Sequence, residues 1–365
     1  MKISTLRLFY FGNEQQKSDV YYYVVLPLLS KYLSPCSYYV KRDWNGGPNY
    51  KVIFREQPFN SQLFYNEFLS KVNSEYHVTA NNLLANIASY EKLGSVIGSI
   101  ERADTKTVDS QYHLKMTNEH FDFAQVKKLY NSRGHFELQL HSLMSLQAFV
   151  NQRGREIYAM PDTSKYVLFM QLMLHLLRYS HLEDKYSMMV YLSNSEGILA
   201  IAEQYGKRDS MLEKFKLIYN KLPLNVVRTP ELSVSETISQ WDQLFADIND
   251  KIKNFIQTNE LYTEGYYSQG EQHEHLQKNV AEINSDFHNQ VLMNNLTAIT
   301  GHKLHQQFRF LVNIEYQVMH MLGITFKEKA FLCYGISRFI MDETGSDWRE
   351  ILSERRIVNE IKDKK

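Results

Sequence analysis

Residues 43–48 read Asp-Trp-Asn-Gly-Gly-Pro, and they leave the backbone little choice but to reverse. Asn-Gly-Gly supplies positive-φ freedom, and the proline ring fixes the φ that follows. The flanking runs, Ser37–Lys41 and Asn49–Phe54, are rich in Tyr, Val, Ile and Phe, residues that favour a pleated, half-buried surface. The segment therefore predicts a strand–turn–strand unit. Four cations crowd its tip and returning strand: Lys41, Arg42, Lys51 and Arg55. One reading is a solvated outer face, the usual place for charge. The other is a cluster that holds a carboxylate or another anion beside a glycine-rich turn.

The rest of the chain must supply a core for this hairpin, and with 365 residues, 44% of them hydrophobic, it has the material. Lys plus Arg equals Asp plus Glu at 41 each, so the basic surplus of a nucleic-acid binder is missing and no direct nucleic-acid binding is expected. Cys36 and Cys333 lie far apart and form neither a metal-binding spacing nor a disulfide framework, which points to a reducing cytoplasm. The apolar N-terminal run is interrupted by Arg7 and does not read as a secretory signal. The longest apolar segment, Tyr166–Leu177, contains Gln171 and His175 and is too short to span a bilayer, so no membrane role is expected.

Taken in order, Leu6–Phe11 predicts a first strand closed by Gly12-Asn13. Ser18-Asp19 can cap a helix running to Tyr32, with Pro27 as a kink or break. The order strand, helix, strand, strand predicts a mixed sheet with a helix on one face. Pro58-Phe59-Asn60-Ser61 starts a helix with Leu63, Phe64, Phe68, Leu69 and Val72 at helical spacing. Leu83, Leu84, Ile87 and Ala88 point to another, and Tyr112–Met116 to a strand. From about Asn118 the pattern is helical: Phe121–Tyr130, Phe136–Val150, Ser164–Tyr179, Tyr186–Gln204, Asp209–Lys221, Glu236–Gln257, Glu271–Ile299, His302–Leu322, Lys327–Met341 and Asp347–Ile361. Ser164–Tyr179 is apolar nearly all round and predicts a central buried helix. Leu222–Ser233, with two prolines, is a break; Tyr262–Gly270 is a candidate mobile loop. The class is α+β: a small N-terminal mixed β-sheet, about residues 1–116, and a large, mostly helical body, about 117–365.

Motifs with chemistry are few. His273 and His275 stand two apart and point to different helix faces; His302 and His305 have no matched carboxylate or cysteine nearby. Gly94–Gly98 lacks the Gly-Lys-Ser/Thr of a phosphate loop. Tyr316 and His320 stand four apart on an apolar helix and so share a face. They read either as a satisfied core pair or as a proton donor pair facing a cleft.

These residues also carry a resemblance. Leu26-Pro27-Leu28-Leu29, Tyr39–Trp44, Asn45-Gly46-Gly47-Pro48-Asn49 and Tyr50–Phe54 follow the order and spacing of the C-terminal, elimination-type domain of lantibiotic dehydratases. That family includes stand-alone thiopeptide-type bacteriocin biosynthesis proteins. Arg42, Trp44, Gly46, Gly47 and Pro48 match its pattern, and Leu322-Gly323-Ile324 matches a C-terminal helix end more faintly. The resemblance implies a single domain over 1–365 acting on a precursor peptide with its leader. It implies no cofactor or metal, leaves room for a separate glutamylating dehydratase subunit as partner, and leaves a homodimer open. Members that eliminate glutamate use two arginines on the returning strand and a C-terminal histidine; here those positions hold Lys51, Ile53 and Tyr316. Ile53 cannot bind a carboxylate, and Lys51 offers a point charge rather than a fork. A related branch joins two dehydroalanines in a formal [4+2] cycloaddition and aromatises the ring to a pyridine with loss of water and leader peptide. On that basis Tyr316 and His320 are the expected proton donor and acceptor. Lys51 and Arg55 are the expected substrate anchors, with Arg42 and Trp44 shaping the tip beside them. A glutamate-elimination lyase is the alternative, since Arg55 shares the face of Ile53; a non-catalytic precursor-binding subunit is a third reading.

Overall fold

A computed structural model describes residues 2–44, 46–101, 108–121, 123, 130, 132–229, 232–257, 261, 285–293 and 303–353. The proposed Tyr262–Gly270 loop, His273, His275 and His302 lie outside them, as do most of Phe121–Tyr130 and Glu271–Ile299 and the end of Asp347–Ile361.

The chain forms two compact units. The first comprises Met1–Asp122, His141–Ala159 and Val318–Gly323. Four strands, β1 (Ile3–Phe9), β2 (Tyr38–Asp43), β3 (Asn49–Arg55) and β4 (Met116–His120), make a sheet in the order β2-β3-β1-β4. All three pairings are antiparallel. The α+β class holds, but the sheet is not mixed. The returning strand of the hairpin inserts between β1 and β2, so the two strands joined by a helix, though parallel in direction, are never neighbours.

The connecting helix begins earlier than Ser18-Asp19. Asn13 caps α1 (Glu14–Asp19) in a reciprocal capping box with Gln16. The chain then widens into a π-helical segment, Val20–Val25, where the Leu26 N–H reaches the Tyr21 carbonyl, before α2 (Leu26–Tyr32). Pro27 has no N–H and would clash with the carbonyl four residues back. The wider register absorbs it without a break. This helix covers one sheet face: Tyr21 stacks on Tyr50 with ring centroids 5.8 Å apart, and Tyr50 donates to the Lys17 carbonyl at 2.5 Å. Leu6, Leu8, Val40 and Val52 on that face are fully buried.

At the turn, Gly46 and Gly47 have φ of +82° and +107°. Arg7 ties the sheet together below it, donating to Asp43 at 3.0 Å, Asn49 at 3.4 Å and Glu119 at 2.9 Å. A Cβ on Gly47 would come within 2.5 Å of the Phe11 ring. Gly47→Ala is therefore expected to cost about 2–4 kcal/mol, from backbone strain plus overpacking. Gly206→Ala, at φ +65° with nothing within 4 Å, should cost only about 1 kcal/mol. Equal shifts of the thermal midpoint would refute this account of the turn.

Two helices follow in the first unit: α3 (Ser61–Glu75), capped by Asn60, and α4 (Ala80–Glu101). The long α5 (Arg133–Ala159) lends its second half to the edge of β2. There the Val40 N–H donates to Gln147 at 2.8 Å, and Asn151 donates to the Tyr38 hydroxyl at 2.8 Å. An edge strand that would otherwise expose its N–H groups is thus closed.

The second unit is helical. It contains α6 (Asp162–Leu177), α7 (Asp184–Ser187), α8 (Met189–Gln204), α9 (Arg208–Tyr219), α10 (Leu232–Ile256) and α11 (Asp286–Met293). It also holds most of α12 (Lys303–Met321), then α13 (Phe326–Thr344) and α14 (Trp348–Ser353). As expected, α6 is the buried one: Val167–Met173, Leu176 and Leu177 are all buried. Each such Leu, Met or Phe contributes about 2 kcal/mol of hydrophobic stabilisation. Its one buried amide, Gln171, donates to the Val226 carbonyl at 2.7 Å. No helix among the described residues is long and apolar enough to cross a membrane.

Candidate functional site

Period two sorts the hairpin cations onto two faces. Lys41, Lys51 and Arg7 stand opposite one another across β2, β3 and β1, with Ile53 and Arg55 on the same face. Arg42 stands opposite Tyr50 on the helix-covered face. Its guanidinium lies 4.9 Å from the Tyr21 ring centroid and donates to Ser18 Oγ at 3.3 Å. Arg42 thus props the helix against β2 and does not join Lys51 and Arg55. Trp44 is half-buried just past β2, its backbone N–H donating to Asp43 Oδ1 at 2.9 Å.

Among the described residues no acid lies within ion-pair distance of Lys51 or Arg55; Asp43 and Glu119, both paired with Arg7, act on Lys51 from further off. Burial lowers the Lys51 pKa, and the Arg7 charge lowers it further. Arg55 donates instead to Nδ1 of His141, and its Nε is buried without a partner. Because arginine can only donate, Nδ1 of His141 is the acceptor in this bond. This face can hold an anion through Lys51 and Arg55, with the His141 imidazole alongside.

Tyr316 and His320 lie one turn apart on α12, and the boundary between the two units falls between them. His320 is half-buried in the last turn, where a cation also suits the helix dipole. Next to it, Tyr22 donates to the Met321 carbonyl at 3.1 Å. Tyr316 is half-buried and sits in a polar cluster of the second unit. The Cys333 thiol donates to its hydroxyl at 3.5 Å, and Lys329 Nζ stands 4.7 Å from its ring centroid. The ring of Tyr191 lies 6.3 Å away, and the Tyr191 hydroxyl donates to Glu315 Oε2 at 2.7 Å. Glu315 is 0% exposed, and its Oε1 has no partner among the described residues.

Burial dominates the electrostatics. It raises the Glu315 carboxyl to about 8, against a smaller opposing effect of the Tyr191 hydrogen bond. It pushes the Cys333 thiol up to about 12 and the Tyr316 hydroxyl well above the ordinary tyrosine range. At neutral pH the cluster is therefore an uncharged acid, two protonated phenols and a thiol, with Lys329 beside them. Such a cluster can pass or hold protons without building up charge.

Sequence reasoning missed Glu315, Tyr191, Cys333 and His141. Only Glu315 carried a local signal: an acid in line with Leu311, Val318 and Leu322 on the apolar stripe of α12. Among the described residues no group of three or more His, Cys, Asp or Glu is placed to hold a metal ion.

No protein-family profile and no curated protein matches the sequence. Solved structures do match. The pyridine synthase TbtD from thiomuracin biosynthesis superposes with a TM-score of 0.62 at 12% identity, over 94% of this chain and 99% of that one. TsrL superposes with a TM-score of 0.63 at 13% identity, over 96% of this chain and 97% of that one. The chain thus has, end to end, a fold similar to those of the thiomuracin pyridine synthase and TsrL.

Proposed function

We propose that the protein matures a ribosomally made peptide of the thiopeptide type. In this reading it joins two dehydroalanines of a leader-bound precursor in a formal [4+2] cycloaddition. The observation that carries the proposal is the fold shared with a pyridine synthase over nearly the full length of both chains. The buried Ile53, where an eliminating enzyme would place a carboxylate-binding arginine, supports the same reading.

Bringing two alkenes of one peptide together is chiefly a matter of positioning. One amide must react as its iminol tautomer, which moves a proton from nitrogen to oxygen. Aromatisation then expels water and the leader amide, each departure needing a proton. Tyr316 and His320 are the assigned proton donor and acceptor. Lys51 and Arg55 anchor substrate carbonyls or carboxylates; Trp44 and the Arg42-braced strand shape the surface beside them. Incubation with a leader-bound, dehydroalanine-containing precursor should yield a product lighter by water and a released leader peptide by mass spectrometry. If neither appears, the cycloaddition reading fails.

One observation favours a second reading. Lys51 and Arg55 share a face, and among the described residues no acid lies within ion-pair distance of either, which suits the carboxylate of a glutamylated Ser or Thr side chain. A lyase would release free glutamate from such a peptide, and that assay separates the two.

A further inference from the structure

The functional reading uses Tyr316 and leaves Glu315 without a task, yet a fully buried carboxyl with one unpartnered oxygen calls for a physical reason. Leucine would fill the place on the α12 stripe without the desolvation penalty. We infer that Glu315 is a positioning residue for Tyr316: uncharged, it permits the Tyr316 hydroxyl to give up its proton, and ionised, it holds that proton in place. The inference rests on the reading of Tyr316 as proton donor.

The geometry confines the effect to a few groups. Tyr191 on α8 donates to one carboxyl oxygen at 2.7 Å and also lies 3.4 Å from the Met173 carbonyl of α6. On α12 itself, Tyr316 is the next residue, and Arg309 acts weakly on it from further back. From α13 come Cys333, in contact with the Tyr316 hydroxyl, and Lys329, over its ring. Both Tyr316 and Cys333 sense the Glu315 charge, which raises their pKa values. When Tyr316 gives its proton to a departing group, the phenolate left behind is an anion in a buried setting. A neutral carboxyl at its flank tolerates that anion; a carboxylate at the same place repels it. The proton returns from solvent, so the cycle leaves Glu315 unchanged. Burial sets the changeover near pH 8.

Three measurements decide it. First, wild-type turnover of the precursor should fall as pH rises through about 8. Glu315→Gln, which keeps an acceptor for Tyr191 but cannot ionise, should remove that alkaline limb. Tyr191→Phe, which takes away a hydrogen bond that favours the carboxylate, should move the limb to higher pH. A limb unchanged in both variants overturns the inference. Second, tyrosinate absorbance of the protein without substrate, taken as the difference from Tyr316→Phe, locates the Tyr316 ionisation. Glu315→Gln should lower it, with burial and Cys333 still holding it above the ordinary tyrosine range, and no movement overturns the inference. Third, the infrared carbonyl band of a protonated carboxyl should be present in the wild type at pH 7 and missing from Glu315→Gln; its absence from the wild type overturns the inference. The last two need no turnover. A chain that shows both but never converts a precursor would refute the proposed function and leave the coupling of Glu315 to Tyr316 standing.

Discussion

Tyr316→Phe is expected to lower precursor turnover by about 100-fold or more while precursor binding and folding stay close to wild type. A positioned general acid supplies about 10²–10⁴ in rate, and phenylalanine removes the transferable proton and nothing else of size. The structural cost is small. The hydroxyl's one hydrogen bond among the described residues is from the Cys333 thiol, a weak donor at 3.5 Å, and its loss should cost well under about 1 kcal/mol. Lys329 keeps an aromatic face beneath it, since phenylalanine preserves the ring. The loss should therefore appear in kcat, with KM nearly unchanged, the pattern of an interaction made in the transition state. A kcat within about threefold of wild type would remove Tyr316 from the chemistry. Loss of precursor binding instead would make it an anchor. His320→Gln, one turn on, is the companion test, because glutamine can donate a hydrogen bond but cannot exchange a proton at neutral pH.

What the amino-acid order revealed depended on how far each signal reached along the chain. The hairpin was legible because everything it needs is local: two β-forming runs and a turn that demands positive φ at Gly46 and Gly47. The helix that follows Pro58–Ser61 and the buried helix α6 were legible for the same reason. Strand order was not. Placing β3 between β1 and β2 depends on a pairing between residues near positions 5 and 53, and nothing in either segment announces the other. Ser18-Asp19 has the residue types of a helix cap, but Asn13 with Gln16 offers the better reciprocal bonds five residues earlier. At the candidate site, strand alternation put Lys51 and Arg55 on one face; the face of Arg42, on the neighbouring strand, depended on the register that sets it opposite Tyr50. Arg7 looked only like an interruption of an apolar run; its task is to draw Asp43, Asn49 and Glu119 together from three other strands. His141 and Tyr191 matter through partners 86 and 124 residues away, Arg55 and Glu315. Glu315 alone was visible in principle, as a carboxyl on an apolar stripe, where a charge is costly unless it is neutralised or paired.

That cost makes stability depend on pH. The Glu315 carboxyl is ordinarily at 4.5 and lies at about 8 in the folded chain. Its folded pKa is raised, so the stabilisation is complete below about pH 4.5 and is lost as pH rises toward 8, because the unfolded chain gives up the proton first. Buried histidines work the other way. His113, His135 and His288 are each lowered from 6.5 to about 4, mainly by burial. They favour the folded state above pH 6.5 and lose that contribution as pH falls toward 4. Between pH 4.5 and 6.5 these three histidines oppose this carboxyl, so their combined effect raises stability with pH; above 6.5 these histidines are silent and the Glu315 contribution falls. The wild type should therefore be most stable near pH 6.5 and lose about 2 kcal/mol between there and pH 8, at about 1.36 kcal/mol per pH unit for one proton. Glu315→Gln should keep the acid limb, since the histidines remain, and lose the alkaline one. Urea unfolding midpoints at pH 5, 6.5 and 8 for the two proteins test this directly. A wild-type midpoint that holds steady from pH 6.5 to 8 would mean Glu315 is ionised or solvated in the folded chain, and its neutral role beside Tyr316 would fall with it.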